Sequence, residues 1–474
     1  KDRRIVLRGH SRWDYHPYSR LNDMQRRTFP FICRLAPHND SIEFEWFDNG
    51  SAGPHTAYCR IWGSGRPYLK KILPGPCACI DGLETGRDYE LFVAREESGA
   101  KSPVRRFRTG PSVGTVVNYL HPGDPVYSFS GWSLCSPSLV KLPSGTLLAS
   151  MDVFAAQKPQ DLSLLFSSAD GGATWRYVND LFPCFWGKLF VHRGVLYMLA
   201  NTTEYGSLTI GKSLNEGKTW SAPVTILPGT GSNGQGPHKG PMPVTEYEGR
   251  LYTGVDYGSW AAGGFGSALL SIDADADPMK AENWVCSKFL PYDPRWPGAA
   301  KGQCLGGLEG NAVVGPDGEI YNVLRYQMAG CRPSYGKAMV LRGNRMDPEA
   351  PLSFAWFADF NGGSNSKFDL LYDKTSNAYW AIVNEIVQEE YPGQRNVLSL
   401  AVSRDLKTFS IAKRLLDYRR EDPACVGFQY VSFLIDGDDI LYLCRTSVNH
   451  GRNMHDANYS TFHKIKDFRK YLRG

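Results

Sequence analysis

Between residues 41 and 110 apolar and polar side chains alternate with a period of two. SIEFEWFD (41–48), HTAYCRIWG (55–63) and DYELFVARE (88–96) each put their bulky residues on one face of an extended segment, and SPVRRFRTG (102–110) reads as a closing strand. Farther along the pattern becomes an apolar run, a tight turn and a second apolar run. That unit recurs around Gly145, Gly194, Gly249, Gly318, Asn377 and Gly437. The intervals of roughly 50 to 70 residues each have room for a four-stranded antiparallel sheet. The last unit ends in NYSTFHKIKDF and is one strand short, and VGTVVNYL (113–120) is available to complete it. The chain therefore reads as all-β, a small β-sandwich over residues 1–111 followed by a six-bladed β-propeller over residues 112–474. GPSVGTVVNYLHPGDP marks the boundary.

A second repeat overlies the first. SSADGGATW carries Ser168, Asp170, Gly172, Thr174 and Trp175 in the order S-x-D-x-G-x-T-W, and SLNEGKTW repeats it with Ser213, Asn215, Gly217, Thr219 and Trp220. Ser403, Asp405, Thr408 and Phe409 form a shortened copy. The Asp or Asn side chain can bond the amides of the turn, Gly supplies backbone freedom, and Trp packs between sheets. The motif resembles the Asp-box of sialidase-like propellers, in which it sits away from the active face. Likewise GLETGRDYELFVA resembles the tyrosine corner of a fibronectin type III sandwich, with Tyr89 entering its strand after a Gly-containing turn. Such a module is most often a spacer or a packing partner.

Composition agrees with this architecture. In 474 residues there are 49 Gly, 30 Pro and 13% aromatics, which favours many short strands joined by turns. No run of 18 apolar residues marks a membrane span. The net charge of +5 mildly favours an anionic ligand, but no basic run or stripe points to nucleic acid. The 11 cysteines include no CxxC pair and no His-rich spacing, so no metal and no cofactor are expected, and mostly free buried thiols are favoured over a disulfide framework. The start KDRRIVLRGH lacks an apolar signal core and reads as a mature or trimmed end. A secreted or periplasmic location stands ahead of a cytoplasmic one.

In a propeller, side chains at the mouth of the central channel come from the start of each inner strand and the loop after the second strand. That rule selects Cys135, Asp152 and Asp161 in the first unit, and Phe185, Trp186, Glu204 and Tyr205 in the second. It selects His238, Lys239, Asp256 and Tyr257 in the third, then Glu309 and Arg325, Lys367 and Arg395, and Tyr430 and Arg445. Here the likeness to sialidases becomes residue-specific. A Glu opens one inner strand and an Arg closes the next, as Glu309 and Arg325 do in LEGNAVVGPDGEIYNVLRY. Another Arg precedes a strand leading into an Asp-box, matching Arg395 in QRNVLSLAVSRD, and a Tyr opens the last unit, matching Tyr430.

The chemistry asks for these residue types. The anomeric carbon of a sialic acid bears a carboxylate, which repels an anionic nucleophile. A phenol avoids that repulsion, and a neighbouring Glu can take its proton. Guanidinium groups grip the substrate carboxylate through paired hydrogen bonds. The resemblance thus implies Tyr430 as nucleophile, Glu309 as its base, and Arg325 and Arg395 in the carboxylate clamp. Two departures stand out. The family's first clamp Arg lies in an R-I-P triplet, whereas this chain reads Cys135-Ser136-Pro137. The family's supporting Glu in the last unit is replaced by Arg445, which we read as a relocated third guanidinium. For the acid/base the first candidate is Asp161, with Asp152 and His238 as alternatives; Trp186 is a candidate sugar platform.

The expectation is an exo-acting retaining glycoside hydrolase that releases a terminal acidic sugar from a glycan. A polysaccharide lyase or rhamnosidase-like hydrolase using His238 and Tyr430, or a non-catalytic glycan-binding protein, are the alternatives.

Overall fold

The computed structural model describes residues 13, 29–48, 53–231, 234–361 and 363–472; the segment KDRRIVLRGH lies outside them. Among the described residues helix is confined to two short 3-10 turns, Ala281–Asn283 and Phe468–Tyr471. Everything else is strand and connection.

The first strands form two facing sheets. Phe31–Pro37, Ile42–Phe47 and Cys77–Ile80 make one, and Leu69–Leu73, His55–Ile61, Asp88–Arg95 and Arg105–Arg108 the other. Ile42–Phe47 alternates buried and more exposed positions as its sequence predicts. Ile32, Leu35 and Phe44 from the first sheet meet Ala57, Leu91, Val93 and Phe107 from the second in one core. Tyr89 stacks on Phe107 at 5.3 Å, and its hydroxyl accepts a hydrogen bond from the Glu84 amide at 2.8 Å. Arg105 ties this region to the following segment. It donates from Nε to Asp124 at 2.7 Å and from Nη1 to the Ile32 carbonyl at 2.6 Å, with both charged side chains fully buried.

Successive antiparallel strand groups follow, the fourth and fifth of them joined into one eight-stranded sheet by a short parallel pairing of Asp359 and Phe360 with Thr408 and Phe409. The first runs Ser133–Lys141, Leu147–Phe154, Leu162–Ser168 and Arg176–Leu181, and the second Phe185–His192, Val195–Asn201, Leu208–Ser213 and Val224–Leu227. The third is built on Gly236–His238, Arg250–Ser259, Gly264–Asp273 and Trp284–Cys286, and the fourth on Gly306–Val314, Ile320–Gln327, Lys337–Arg342 and Ser353–Phe360. The fifth contains Asp369–Asp373, Ala378–Asn384, Val397–Ser403 and Thr408–Asp417. In the sixth, Gly427–Asp436, Asp439–Ser447 and Tyr459–Ile465 are completed by Thr115–Tyr119 from ahead of the first sheet. That last pairing brings Tyr119 and Tyr459 ring to ring at 4.7 Å. Inner strands of successive sheets adjoin: Ser133–Lys141 lies against both Phe185–His192 and Gly427–Asp436, and Asp369–Asp373 against Gly306–Val314 and Gly427–Asp436. Packing on both faces explains why a strand such as Ala378–Asn384 is buried at every position and reads as a continuous apolar run.

Turn chemistry follows the sequence closely. Gly145, Gly194, Gly249, Gly318, Asn377 and Gly437, one in each sheet's first hairpin, all have positive φ, between 49° and 90°. Each S-x-D-x-G-x-T-W turn joins a third strand to a fourth. Asp170 accepts from the Thr174 amide at 2.9 Å and Asn215 from the Thr219 amide at 2.8 Å, while the Trp175 and Trp220 indoles donate to the Gly172 and Gly217 carbonyls. The shortened copy makes the equivalent bond from the Thr408 amide to Asp405 at 3.0 Å. Nine cysteines are free, and Cys304 and Cys331 form a disulfide beside the fourth sheet.

The Arg105–Asp124 pair should be unusually sensitive. Replacing Arg105 by Ala leaves Asp124 charged in the core and is expected to cost about 3–5 kcal/mol in urea denaturation. Lys141→Ala, which breaks the half-exposed pair with Asp436, should cost about 1 kcal/mol or less. Equal losses would contradict this role for Arg105.

Candidate active site

At one end of the ring four inner strands share a device. Each carries a β-bulge near its start, with a non-glycine residue in the left-handed region: Ser136 at φ 48°, Trp186 at 56°, Glu309 at 56° and Tyr430 at 52°. A bulge breaks the in-out alternation of the strand and re-aims a side chain. Each such residue costs on the order of 1–3 kcal/mol and persists where its surroundings hold it. The supports are visible. The Trp186 amide donates to Asp152 at 2.6 Å, and the Glu309 amide donates to Asp256 at 2.7 Å. In both cases a carboxylate from the second strand of one sheet braces the bulge of the next.

The four bulge residues line one cavity of about 250 Å³, with Phe154, Glu204, His238, Trp260, Arg445 and His455 among the other lining residues. Arg325 organises its floor. Its Nη1 donates to Glu309 Oε2 at 2.9 Å and to the Tyr430 hydroxyl at 3.2 Å, while Nε and Nη2 are held by Gln327 at 3.0 and 2.7 Å. The Arg395 and Arg445 guanidinium groups each stand 5.0 Å from the Tyr430 ring centre. Arg395 is fastened to Gln429, and Arg445 donates to the His455 carbonyl at 2.5 Å.

Burial pushes the Tyr430 phenol upward, but the Arg395 and Arg325 charges more than offset it, and its pKa lies below the ordinary tyrosine value. Burial likewise opposes ionisation of Glu309, yet Arg325 and then His238 hold its carboxyl below the usual range. Glu204 is different. Burial dominates there and raises its carboxyl despite His238 and Gln160.

Of the residues singled out in the sequence, Tyr430, Glu309, Arg445, His238, Trp186, Cys135 and Glu204 line the cavity. Arg325 and Arg395 lie behind Tyr430, outside the lining. Asp152 lies beneath, with one oxygen accepting from Ser163 and the other bracing Trp186. Burial pushes its carboxyl up to about 7, against those hydrogen bonds. Asp161 is fully buried and is not part of the lining; its amide donates to Ser130 Oγ at 3.0 Å and its carbonyl accepts from the Cys184 amide. Six lining residues were not among the sequence candidates: Ser136, Phe154, Gly240, Pro241, Trp260 and His455. Phe154 ends the second strand of the first sheet and Trp260 follows that of the third, so the positional rule extended by a few residues would have found both. His455, bonded to Asp456 at 2.8 Å, arrives on a returning loop that carries no local signal.

No protein-family model and no curated protein matches the chain. Among solved structures it is similar to a Hadza microbial sialidase, at 13% identity over 93% of this chain and 98% of that one, with a TM-score of 0.49. A Penicillium chrysogenum α-L-arabinanase has 13% identity over 76% and 100% of the two chains, also at 0.49. The leech intramolecular trans-sialidase has 11% identity over 93% and 92%, again at 0.49. Likeness at this level assigns no activity.

Asp152 makes stability depend on pH. Its folded pKa of about 7 exceeds the unfolded value of about 3.9, so folding favours its protonated form. Its contribution is fullest below the unfolded pKa and is lost as pH rises through about 7. Between about pH 4 and 7 the wild type should therefore lose more stability than Asp152→Asn, measured as melting temperature against pH. Parallel curves would overturn the assignment.

Proposed function

We propose that the chain is a retaining, exo-acting glycoside hydrolase of sialidase type, with a fibronectin type III-like sandwich over residues 1–111 and a six-bladed Asp-box propeller over residues 112–474. The observation that carries the reading is the Glu309–Arg325–Tyr430 cluster. A phenol with a lowered pKa shares one guanidinium nitrogen with an ionised carboxylate, and both acidic groups line one cavity. Six successive antiparallel strand groups, the fourth and fifth joined by one parallel pairing and the last completed by Thr115–Tyr119, support the propeller. The local hydrogen bonds of the three turns support the Asp-box reading.

In this reading Glu309 accepts the Tyr430 proton as the phenolic oxygen forms a bond to the anomeric carbon and the bond to the departing oxygen breaks. Water then replaces tyrosine at that carbon with a second inversion; its proton goes to the acid/base group that had protonated the departing oxygen, and the proton on Glu309 returns to Tyr430. Net retention results. A cavity of about 250 Å³ suits a single terminal sugar. Trp186, Trp260 and Phe154 offer apolar faces to its ring, and Arg445 offers the charge for a carboxylate. One observation favours a second reading, hydrolysis of a neutral sugar: Arg445 is the one guanidinium among the lining residues, and it already bonds His455.

The first test is release of free sugar from a fluorogenic α-sialoside, with the product identified by mass. Tyr430→Phe should lose activity on the order of a thousandfold with its fold intact. Activity like that of the wild type would remove the nucleophile. For Arg445→Ala, KM for the acidic sugar should rise about tenfold or more with a smaller change in kcat. An unchanged KM, with turnover of neutral glycosides instead, would favour the second reading.

A further inference from the structure

Two carboxyl groups line the cavity among the described residues, and the mechanism so far uses Glu309 alone. The other, Glu204, lies just beyond Val195–Asn201 in a turn held from several sides. The Asn201 side-chain Nδ2 donates to the Gly206 carbonyl at 2.8 Å, the Gly206 backbone amide to the Thr203 carbonyl at 2.9 Å, and the Gly231 backbone amide to the Tyr205 carbonyl at 3.0 Å. Tyr205 itself is left-handed at φ 54°, and a Cβ on Gly236 would come within 2.1 Å of its carbonyl, so the neighbouring loop has no slack. Among the described residues the carboxyl of Glu204 has one hydrogen bond, from Gln160 Nε2 at 3.4 Å. His238 lies within electrostatic reach of both cavity carboxyls.

The other candidates for a proton donor differ in their surroundings; His238, also on the lining, has Nδ1 3.4 Å from Asp256 Oδ2. Both oxygens of Asp152 are engaged, and neither Asp152 nor Asp161 reaches the lining. His455 is kept neutral by burial and then by Arg445, and its Nδ1 is bonded to Asp456.

We propose that Glu204 is the general acid/base of this site, an assignment that rests on the tyrosine-nucleophile reading. It gives its proton to the glycosidic oxygen as that C–O bond breaks and Tyr430 bonds to the anomeric carbon. In the second step the Glu204 carboxylate takes a proton from the attacking water as the tyrosyl–carbon bond breaks, which restores both residues. The environments of the two carboxyls agree with this division: burial favours the protonated form of Glu204, while Arg325 and His238 favour the ionised form of Glu309. Leaving-group protonation and water activation are the work of a carboxyl in this state.

The test uses the whole chain, with Glu204→Gln and Glu204→Ala beside Tyr430→Phe, on an alkyl and an aryl α-sialoside. With the alkyl leaving group, which needs a proton, Glu204→Gln should lose about 10²- to 10⁴-fold in kcat/KM. With the aryl one it should lose about tenfold or less, and the alkaline limb of the pH profile should disappear. Azide, which attacks without base help, should restore turnover to Glu204→Ala and yield a glycosyl azide; that rescue also reports an intact fold. Equal losses on both substrates, a retained alkaline limb or no azide rescue would overturn Glu204 while Tyr430→Phe still supports the tyrosine reading. A fully active Tyr430→Phe, or a wild type silent on both substrates, removes that reading and this assignment with it.

Discussion

A strand in a closed ring of sheets has no freedom to aim a side chain along the axis, because its residues alternate between two packed faces. Here that constraint is broken at the inner strands of the first, second, fourth and sixth groups, each by one extra residue in a left-handed conformation. Ser136, Trp186, Glu309 and Tyr430 all project into one cavity for this reason. Their conformations are unfavourable in isolation and survive because adjacent sheets brace them, through Asp152 to Trp186 and Asp256 to Glu309. The site is therefore a property of sheet-to-sheet contact. Each brace thus links the geometry of one sheet to that of its neighbour.

The same bracing governs charge. Three guanidinium groups surround Tyr430, two of them 5.0 Å from its ring and the third bonded to its hydroxyl. In so dry a place burial alone would hold the phenol neutral and Glu309 protonated, and the net shift of both groups is downward because the arginines win. Each arginine is in turn oriented by a partner: Gln327 for Arg325, Gln429 for Arg395 and the His455 carbonyl for Arg445. The guanidinium planes are thus fixed before any ligand arrives, which lowers the entropic cost of binding. Glu204 sits across the cavity in a site where burial dominates, so the two carboxyls have opposite protonation preferences within one small volume.

Rigidity on the far side complements this. First hairpins and the Asp170, Asn215 and Asp405 turns lie at the opposite ends of their strands from the cavity. Trp175 there packs against Phe462 of the sixth sheet, and Trp220 against Trp13. The buried Arg105–Asp124 pair anchors the N-terminal sheets to the segment that follows Thr115–Tyr119. The variable chemistry is left to the ends of the strands on one face, where loops and bulges carry it.

What the chain declared by itself is what short-range physics determines. Alternation named the N-terminal strands, and the six left-handed turn residues were legible because only Gly and Asn enter that conformation cheaply. The three motif turns close hydrogen bonds within five residues, so their sequence is their structure. Glu309, Arg325 and Tyr430 were also legible, since strand starts and strand ends can be counted along the sequence. Tertiary structure decided everything that depends on where separate sheets meet. Asp161 occupies the expected place in sequence yet is fully buried and outside the cavity lining, which depends on how the chain ahead of Leu162–Ser168 packs. His455 reaches the cavity on a loop returning from elsewhere, and Cys304 finds Cys331 across the fourth sheet. Glu204 could be placed at the rim from sequence, but its preference for a proton is set by burial, and burial belongs to the assembled ring.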